Sequence, residues 1–172
     1  MQWKKFVLIG LVLCSTAALG AATDTKAGSR YVDPIQGFSM AAPAFIPPLT
    51  ERTVVANFPV GIDGDFTSNI NIIVDPVKTT RKEYVAAAIE ALKVSNPKAV
   101  YNANKEMEVS GKEAQLIDFE ANMGPAKRRL RFMQLAVIAE DRVYIVTCTA
   151  PLDSFASHEA EFRKCIESFR LE

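Results

Sequence analysis

The sequence predicts an α+β domain in which helices cover an antiparallel β-sheet on both faces. In the second half of the chain, Gly111, Gly124-Pro125 and Glu140-Asp141 separate consecutive segments that have the pattern of strands in a meander. Both faces of the central strands are apolar, which is typical of a sheet that is covered on two sides. Two segments with helical spacing, after Thr80 and after Ser154, are the predicted covering helices.

The first 22 residues have the pattern of a cleaved export leader. Lys4 and Lys5 precede the apolar run Phe6–Leu13, and the small residues between Gly20 and Ala22 suit signal peptidase. The apolar run is shorter than the roughly 20 residues that cross a bilayer. We therefore expect residues 1–22 to be removed. The mature chain, with no predicted transmembrane span, would be exported to a periplasm or an equivalent extracytoplasmic lumen.

Removal of the leader leaves about 150 residues, the usual size of one domain. Residues 23–30 are small and polar and are predicted to form a flexible lead-in, so that the single domain spans residues 31–172. The leader holds two of the 20 basic residues and none of the 20 acidic residues, so the mature chain carries a net charge of −2. Proteins that bind nucleic acid through phosphates are normally basic, and this charge argues against a nucleic-acid partner.

Strands are predicted on the amino-terminal side of the first helix. Tyr31–Asp33 and Phe38–Met40 flank a turn and form an opening hairpin. Thr53–Val60 and Ser68–Val74 have the alternation of further strands. The linker Gly61–Thr67 is rich in Gly and Asp, as expected of the turn that joins them.

Both helices have apolar stripes. Thr80 and Glu83 form a capping box that predicts the start of the first helix, and Asn96-Pro97 predicts its end because proline disfavours a helical conformation in the residue before it. Its predicted apolar stripe is Val85, Ala88, Ile89 and Leu92. The stripe of the final helix is Phe155, Phe162, Ile166 and Phe169, and it is predicted to lie back across the last strand.

One register of the hairpin around Gly124-Pro125 is favoured. It opposes Met123 to Arg128, Phe119 to Phe132, Ala121 to Leu130, and Glu120 to Arg131. A shift by one residue would oppose Ala121 to Arg131 and lose the Glu120–Arg131 ion pair. In the following hairpin, a two-residue turn would pair Ile138 with Val143 and Met133 with Cys148.

The order of these elements resembles the PsbP-like fold, which occurs in the extrinsic PsbP protein of photosystem II and in bacterial envelope proteins such as DcrB. The pieces that carry the resemblance are Tyr31-Val32-Asp33 with Gly37-Phe38-Ser39-Met40 and Pro43, the turn Gly111-Lys112-Glu113-Ala114, the strand Val143–Ala150, and Phe162 with Ile166-Glu167-Ser168-Phe169-Arg170. The resemblance implies a PsbP-like α/β/α sandwich over residues 31–172. It also implies a non-catalytic accessory or scaffold protein that docks to a larger assembly.

Cys148 and Cys165 are the cysteines that remain after cleavage of the leader. The strand segment from Cys148 to the final helix spans roughly 18 Å, and the helix from its start to Cys165 spans roughly 16 Å, so the two sulfurs reach the same level if the helix folds back. In an oxidising compartment they could form a disulfide. The alternative is two separate buried thiols that pack as small hydrophobic groups.

The side chains that catalysis or metal binding needs are sparse. His158 is the sole histidine and lies beside an apolar stripe, which favours a structural role over that of a general base. Asp63, Asp65 and Thr67 alternate like calcium ligands, but the glycine at the sixth position and the distal glutamate of an EF-hand are missing, which favours a solvated turn. Neither standard Gly-rich phosphate-binding spacing occurs, and no cofactor or metal is predicted.

Lys127, Arg128, Arg129 and Arg131 crowd the hairpin that follows Gly124-Pro125. They form either a partner-binding tip or a charged hairpin end that keeps the sheet soluble. The sequence thus favours an exported, non-enzymatic accessory domain that binds a protein partner. A small-molecule or calcium-binding module is the alternative, and a hydrolytic enzyme is the least supported class.

Overall fold

The structure is a computed structural model that describes residues 30–33, 36–41, 55–123 and 127–172. The predicted leader, residues 1–22, lies outside the described residues, as does the predicted lead-in up to residue 29. Arg30, assigned to the lead-in from its sequence, is instead the first residue of a strand, since it pairs with Ala41.

Nine strands and two helices make up the described part of the chain. In chain order they are β1 (Arg30–Asp33), β2 (Phe38–Ala41), β3 (Ala56–Asp63), β4 (Phe66–Asp75), α1 (Arg81–Ser95), β5 (Val100–Val109), β6 (Lys112–Met123), β7 (Arg128–Ile138), β8 (Val143–Pro151), α2 (Phe155–Ser168) and β9 (Arg170–Leu171). In these described ranges, neither helix is long and apolar enough to span a membrane.

The larger of two antiparallel sheets has six strands in the order β3-β4-β8-β7-β6-β5. The predicted meander of β5 to β8 is confirmed, and so is its register, with Phe119 opposite Phe132 and Met133 opposite Cys148. The β3–β4 hairpin adds to the free side of β8, where Ile72 pairs with Val146. Strand β8 is therefore central, and all of its residues are buried.

The turn between β3 and β4 is shorter than predicted. The strands continue to Asp63 and from Phe66, so only Gly64 and Asp65 form the turn, and Gly64 has a positive φ of 67° that suits glycine. The Gly- and Asp-rich composition of Gly61–Thr67 predicts a turn over the whole segment. Cross-strand pairing of Gly61 with Ser68 and of Ile62 with Thr67 overrides that local preference.

A second, three-stranded sheet has the order β1-β2-β9. The opening hairpin is confirmed, with Tyr31 opposite Met40. Strand β9, at the end of the chain, pairs with β2 through Phe38 and Leu171, and this pairing was not predicted. The small sheet therefore joins the two ends of the domain.

Helix α2 packs on the face of the larger sheet that carries Met133 and Leu135. Phe162 and Phe169 are fully buried in one cluster with Tyr144, whose ring centroid lies 6.2 Å from that of Phe169. The predicted return of the final helix across β8 is therefore confirmed. The small sheet shares this face, since Phe38 stacks on Phe169 at 5.6 Å.

Helix α1 begins with the predicted capping box, in which Glu83 N donates to Thr80 Oγ1 and Thr80 N donates to Glu83 Oε2. It buries only Leu92, in a cluster with Phe119 and Phe132 of the sheet. The fold thus consists of antiparallel sheets with two helices. The predicted covering of both faces by helices is observed only in part, because α1 contacts mainly β6 and α2 shares its face with the small sheet.

Candidate functional site

Three segments meet at one end of the six-stranded sheet and line an open cleft of about 860 Å³. They are Asp63 and Gly64 of the β3–β4 turn, Arg128 and Arg129 at the start of β7, and the β8–α2 connection, residues 151–154. The same end carries Ile62, which is 79% exposed. We call residues 62–65, 128–129 and 151–154 the sheet-end surface.

Two of the four predicted basic residues lie in this cleft. Arg128 pairs with Asp65 across the cleft end, and Arg129 donates from Nε and Nη2 to Glu120 Oε2 at 3.1 and 2.8 Å. Both arginine side chains are partly exposed, that of Arg129 to 56%. The arginines are therefore oriented by carboxylates while they keep a face toward solvent. Lys127 is exposed and has a positive φ of 47°.

Arg131 is not part of the surface, although the sequence grouped it with the other three. Its Nε and Nη2 donate to Asp118 at 3.0 and 2.7 Å, and its guanidinium lies 4.4 Å from the ring centre of Phe155. Hydrogen bonding to Asp118 raises the pKa of Arg131 despite partial burial. The predicted Glu120–Arg131 ion pair is wrong: the two residues are opposite in register, but Arg131 reaches the more buried Asp118.

Asp63 links the cleft to α2. Its Oδ2 lies 2.9 Å from His158 Nε2 and also accepts a hydrogen bond from the buried Ser68 hydroxyl. Burial alone would raise the pKa of Asp63, but hydrogen bonds from Ser68, His158 and Ser154 outweigh it and lower the pKa. Gly61 lies under the imidazole, where a Cβ would approach His158 Cε1 to 2.7 Å.

This arrangement is not that of a nucleophile and base. The Ser68 hydroxyl donates to the carboxylate of Asp63 and not to the imidazole, so His158 does not activate it. Asp63 and Asp65 are the residues of the calcium-loop alternative, and they contact His158 and Arg128 instead. Across residues 30–33, 36–41, 55–123 and 127–172, no group of three His, Cys, Asp or Glu side chains could hold a metal ion.

Cys148 and Cys165 are fully buried, free thiols in the same core cluster. Cys165 Sγ donates to the Ala41 carbonyl at 3.4 Å, which turns it toward β2, and Cys148 Sγ lies 4.0 Å from the Phe162 carbonyl. Burial raises the pKa of Cys165 to about 12 and that of Cys148 well above its ordinary value. The structure therefore holds two free thiols whose raised pKa values favour the protonated form, and a disulfide between them remains a prediction.

Sequence reasoning identified Arg128 and Arg129 but missed two parts of the surface. The first part is Ile62, which lies in the segment whose composition predicts a turn. It is the one large apolar side chain between Val60 and Phe66. The second part is residues 151–154, which run from the end of β8 to the start of α2. Its backbone is held at the hairpin, where Leu152 N donates to the Arg129 carbonyl at 3.1 Å.

The family model described as PsbP matches residues 26–171. No curated protein matches the chain significantly. Among solved structures, cyanobacterial PsbP (CyanoP) from Synechocystis sp. PCC 6803 superposes with a TM-score of 0.64 at 14% identity and covers 93% of this chain and 99% of its own. LpqN, involved in cell envelope biogenesis of Mycobacterium tuberculosis, gives 0.60 at 13% identity with 84% of each chain covered.

The Ran-binding protein Mog1p of Saccharomyces cerevisiae gives a TM-score of 0.54 at 9% identity and covers 86% of this chain and 96% of its own. At such identities the likeness of these structures shows the fold. The PsbP-like fold that the sequence predicted is confirmed, as an arrangement of antiparallel sheets with two helices.

Proposed function

Because this chain belongs to the PsbP family, we propose that it is an exported, non-enzymatic accessory domain that docks to a protein partner through the sheet-end surface. Residues 1–22 are the leader that is removed on export. Helices α1 and α2 complete an α/β/α sandwich around the six-stranded sheet, and α2 holds the docking end rigid.

One observation carries the proposal: two oriented arginines line an open cleft at the end of the sheet where Ile62, the neighbour of Asp63 in β3, is exposed. Ile62 is 79% exposed, and the Arg129 side chain as a whole is 56% exposed. Protein interfaces are enriched in arginine, and their fully buried centres are more apolar than the rest of the protein surface. The mixed charges of the cleft, with Asp63 and Asp153 beside the arginines, suit a protein partner that offers both signs of charge.

Two structural relatives support a binding role outside catalysis. Mog1p is described as Ran-binding, and LpqN as involved in envelope biogenesis. The envelope role described for LpqN agrees with the leader predicted for this chain. The engagement of Asp63 by His158 and Ser68 supports a structural use of the chemistry-bearing side chains at the cleft.

The test is site-specific photo-crosslinking of the full chain in its own cells. A photoreactive residue replaces Ile62 in one strain and Val94 in another; Val94 is a matched control because it is 74% exposed on α1, away from the cleft. We expect a discrete protein adduct from position 62 and none from position 94. Equal adducts from both positions would contradict docking at this surface.

Charge-reversal variants test whether the arginines of the sheet-end surface are needed for the adduct at position 62. The pair Arg128→Glu and Arg129→Glu should abolish the adduct at position 62. The pair Arg163→Glu and Lys164→Glu makes the same change in net charge on α2, where both side chains are about half exposed, and should leave the adduct intact. If both pairs reduce the adduct equally, general charge and not this surface controls the association.

A further inference from the structure

A row of uncharged polar side chains crosses four adjacent strands of the larger sheet. Register partners connect Asn57 on β3 to Asn71 on β4, Asn71 to Thr147 on β8, and Thr147 to Gln134 on β7. The neighbouring row on the same face adds Asn69 opposite Thr149. We call these six side chains the amide patch. They lie on the face that α2 does not contact, since the alternate residues of the same strands, among them Ile70, Val146 and Met133, pack in the core under α2.

The patch lies beside α1. Gln134 borders a narrow groove that is lined by Ala88, Ile89 and Leu92 of α1. Helix α1 contacts mainly β6, so the patch on β3, β4 and β8 extends away from the helix toward the β3 edge. None of the six residues lines the sheet-end cleft.

The six side chains carry no formal charge, and they are poorly solvated. Thr147 and Thr149 are 6% and 7% exposed, and the other four are only partly exposed. Some of their groups bond one another: Gln134 Nε2 donates to Thr147 Oγ1 at 3.0 Å, and Asn71 Nδ2 donates to Asn69 Oδ1 at 3.5 Å. A solvent-facing surface would gain more from charged side chains, and a core surface would gain more from apolar ones.

Two acceptors in the patch are left unpaired. The carboxamide oxygens of Asn57 and Asn71 are buried and have no hydrogen-bond donor among the described residues. The two residues are direct cross-strand partners, so these oxygens belong to neighbouring side chains on one face. Buried polar atoms are nearly always paired in folded proteins, and two adjacent exceptions point to a donor that lies outside the described residues, as a bound ligand would.

We propose that the amide patch binds a neutral, hydroxyl-rich ligand of the saccharide class. An ionic ligand would find no counter-charge on these six side chains, and an apolar ligand would leave both oxygens unpaired. Hydroxyl groups donate and accept, and so do carboxamides and threonine hydroxyls, so a sugar face satisfies both kinds of group at once. An extended peptide would use its backbone at a sheet edge and not on this face. Rotation about the terminal torsion of each asparagine turns its oxygen toward such a ligand, because that torsion has broad energy wells.

The test is an NMR titration of the ¹⁵N-labelled domain with neutral oligosaccharides: chitotriose, cellotriose and maltotriose, each to millimolar concentration. We expect at least one of them to shift the side-chain amide signals of Asn57, Asn71 and Gln134. Shifts confined to residues 62–65 and 151–154 would overturn the proposal, and so would the absence of shifts with all three sugars.

A double variant separates binding from folding. Asn57→Leu with Asn71→Leu removes the two unpaired oxygens, so the domain should remain folded with an unchanged or higher Tm. Its affinity for the sugar should fall about tenfold or more. Asn122→Leu is the control, because Asn122 is exposed on β6 outside the patch and its replacement should leave binding unchanged. If the double variant has a higher Tm and an unchanged affinity, the sugar binds elsewhere and not at the amide patch. That result would overturn the inference.

Discussion

Helices α1 and α2 are stabilised in different ways. Helix α1 has a complete capping box at its start but buries only Leu92. Helix α2 has no side-chain cap, yet it buries Phe155, Phe162, Cys165 and Ile166. The helix with the stronger local signals is therefore the less buried one. Local sequence stabilises α1, whereas contacts distant in sequence hold α2.

Contacts with the sheet hold the start of α2, which has no side-chain cap. Arg131 of β7 lies against the ring of Phe155 and 3.8 Å from Glu159, and Asp63 of β3 bonds His158 one turn into the helix. Asp63 is itself part of the sheet-end surface, and Arg131 lies two residues after Arg129 on β7. We infer that α2 and the proposed docking end are one rigid unit, while α1 can be altered with less effect on that end.

The largest test of this contrast compares one core residue of each helix. Phe162→Ala should lower the free energy of unfolding by about 3–5 kcal/mol, because Phe162 of α2 is fully buried against the sheets. Leu92→Ala should cost about 2–3 kcal/mol, near the low end for such truncations, because α1 can settle toward the sheet. Urea unfolding of both variants measures the difference. Equal costs would contradict the asymmetry between the helices.

The Arg131 contact provides the second test. Arg131→Met leaves the buried Asp118 carboxylate without its main partner and should destabilise the domain by about 2–4 kcal/mol. Adding Asp118→Asn removes the uncompensated charge and should restore most of that loss. Thermal denaturation of the single and double variants decides the matter. No recovery in the double variant would mean that Arg131 acts through packing on Phe155 alone.

The close approach of Gly61 to His158 gives a third and smaller effect. Gly61→Ala would place a Cβ 2.7 Å from His158 Cε1, so the imidazole must move and its bond to Asp63 must lengthen. We expect a loss of about 1–3 kcal/mol. Gly64→Ala is a poor control because of its positive φ, so Ala160→Ser on α2 is the better comparison. An unchanged Tm for Gly61→Ala would show that His158 is free to move.

The cap of α1 gives a fourth effect. Thr80→Ala removes the acceptor for Glu83 N and should cost about 1 kcal/mol. Circular dichroism during thermal unfolding measures the loss, and Thr79→Ala, one residue earlier, is the matched control. Binding through the sheet-end surface should not change. A loss of binding on Thr80→Ala would show that α1 is coupled to the docking end.

The smallest effect is on the free energy of unfolding at acid pH. The pKa of Asp63 is lower in the folded state than its ordinary value of 3.8, so the folded state binds this proton less tightly than the unfolded chain does. The resulting stability is complete above the ordinary pKa and is lost as the pH falls through the folded one. Asp63→Asn should flatten the profile below about pH 4. A profile identical to that of the parent would show that the hydrogen bonds to Asp63 add nothing.

Parts of the fold could be predicted because their signals are local or repeat along neighbouring strands. The capping box at Thr80 sets the start of α1 within a single turn. The register of β6 and β7 followed from matching Phe119 with Phe132, since every residue of a hairpin pairs in step once one pair is placed. The position of the final helix followed from the spacing of Phe155, Phe162 and Ile166.

The ion pairs could not be predicted from register alone. Arg131 is opposite Glu120, but its long side chain reaches Asp118, and Arg129 takes Glu120 instead. The choice depends on which carboxylate is buried and on the approach of Glu159 from α2. Likewise, the exposure of Ile62 depends on its place in an edge strand.

The amino-acid sequence by itself determined the two helices, the meander of β5 to β8 and the arginines at its hairpin, because these arise from periodicity, caps and turns within a few residues. Only the tertiary structure decided that β3 and β4 pair beside β8, that β9 returns to β2, and that Asp63 meets His158. Those contacts join residues far apart in the chain, and their free energy comes from surface buried jointly, which no local pattern records.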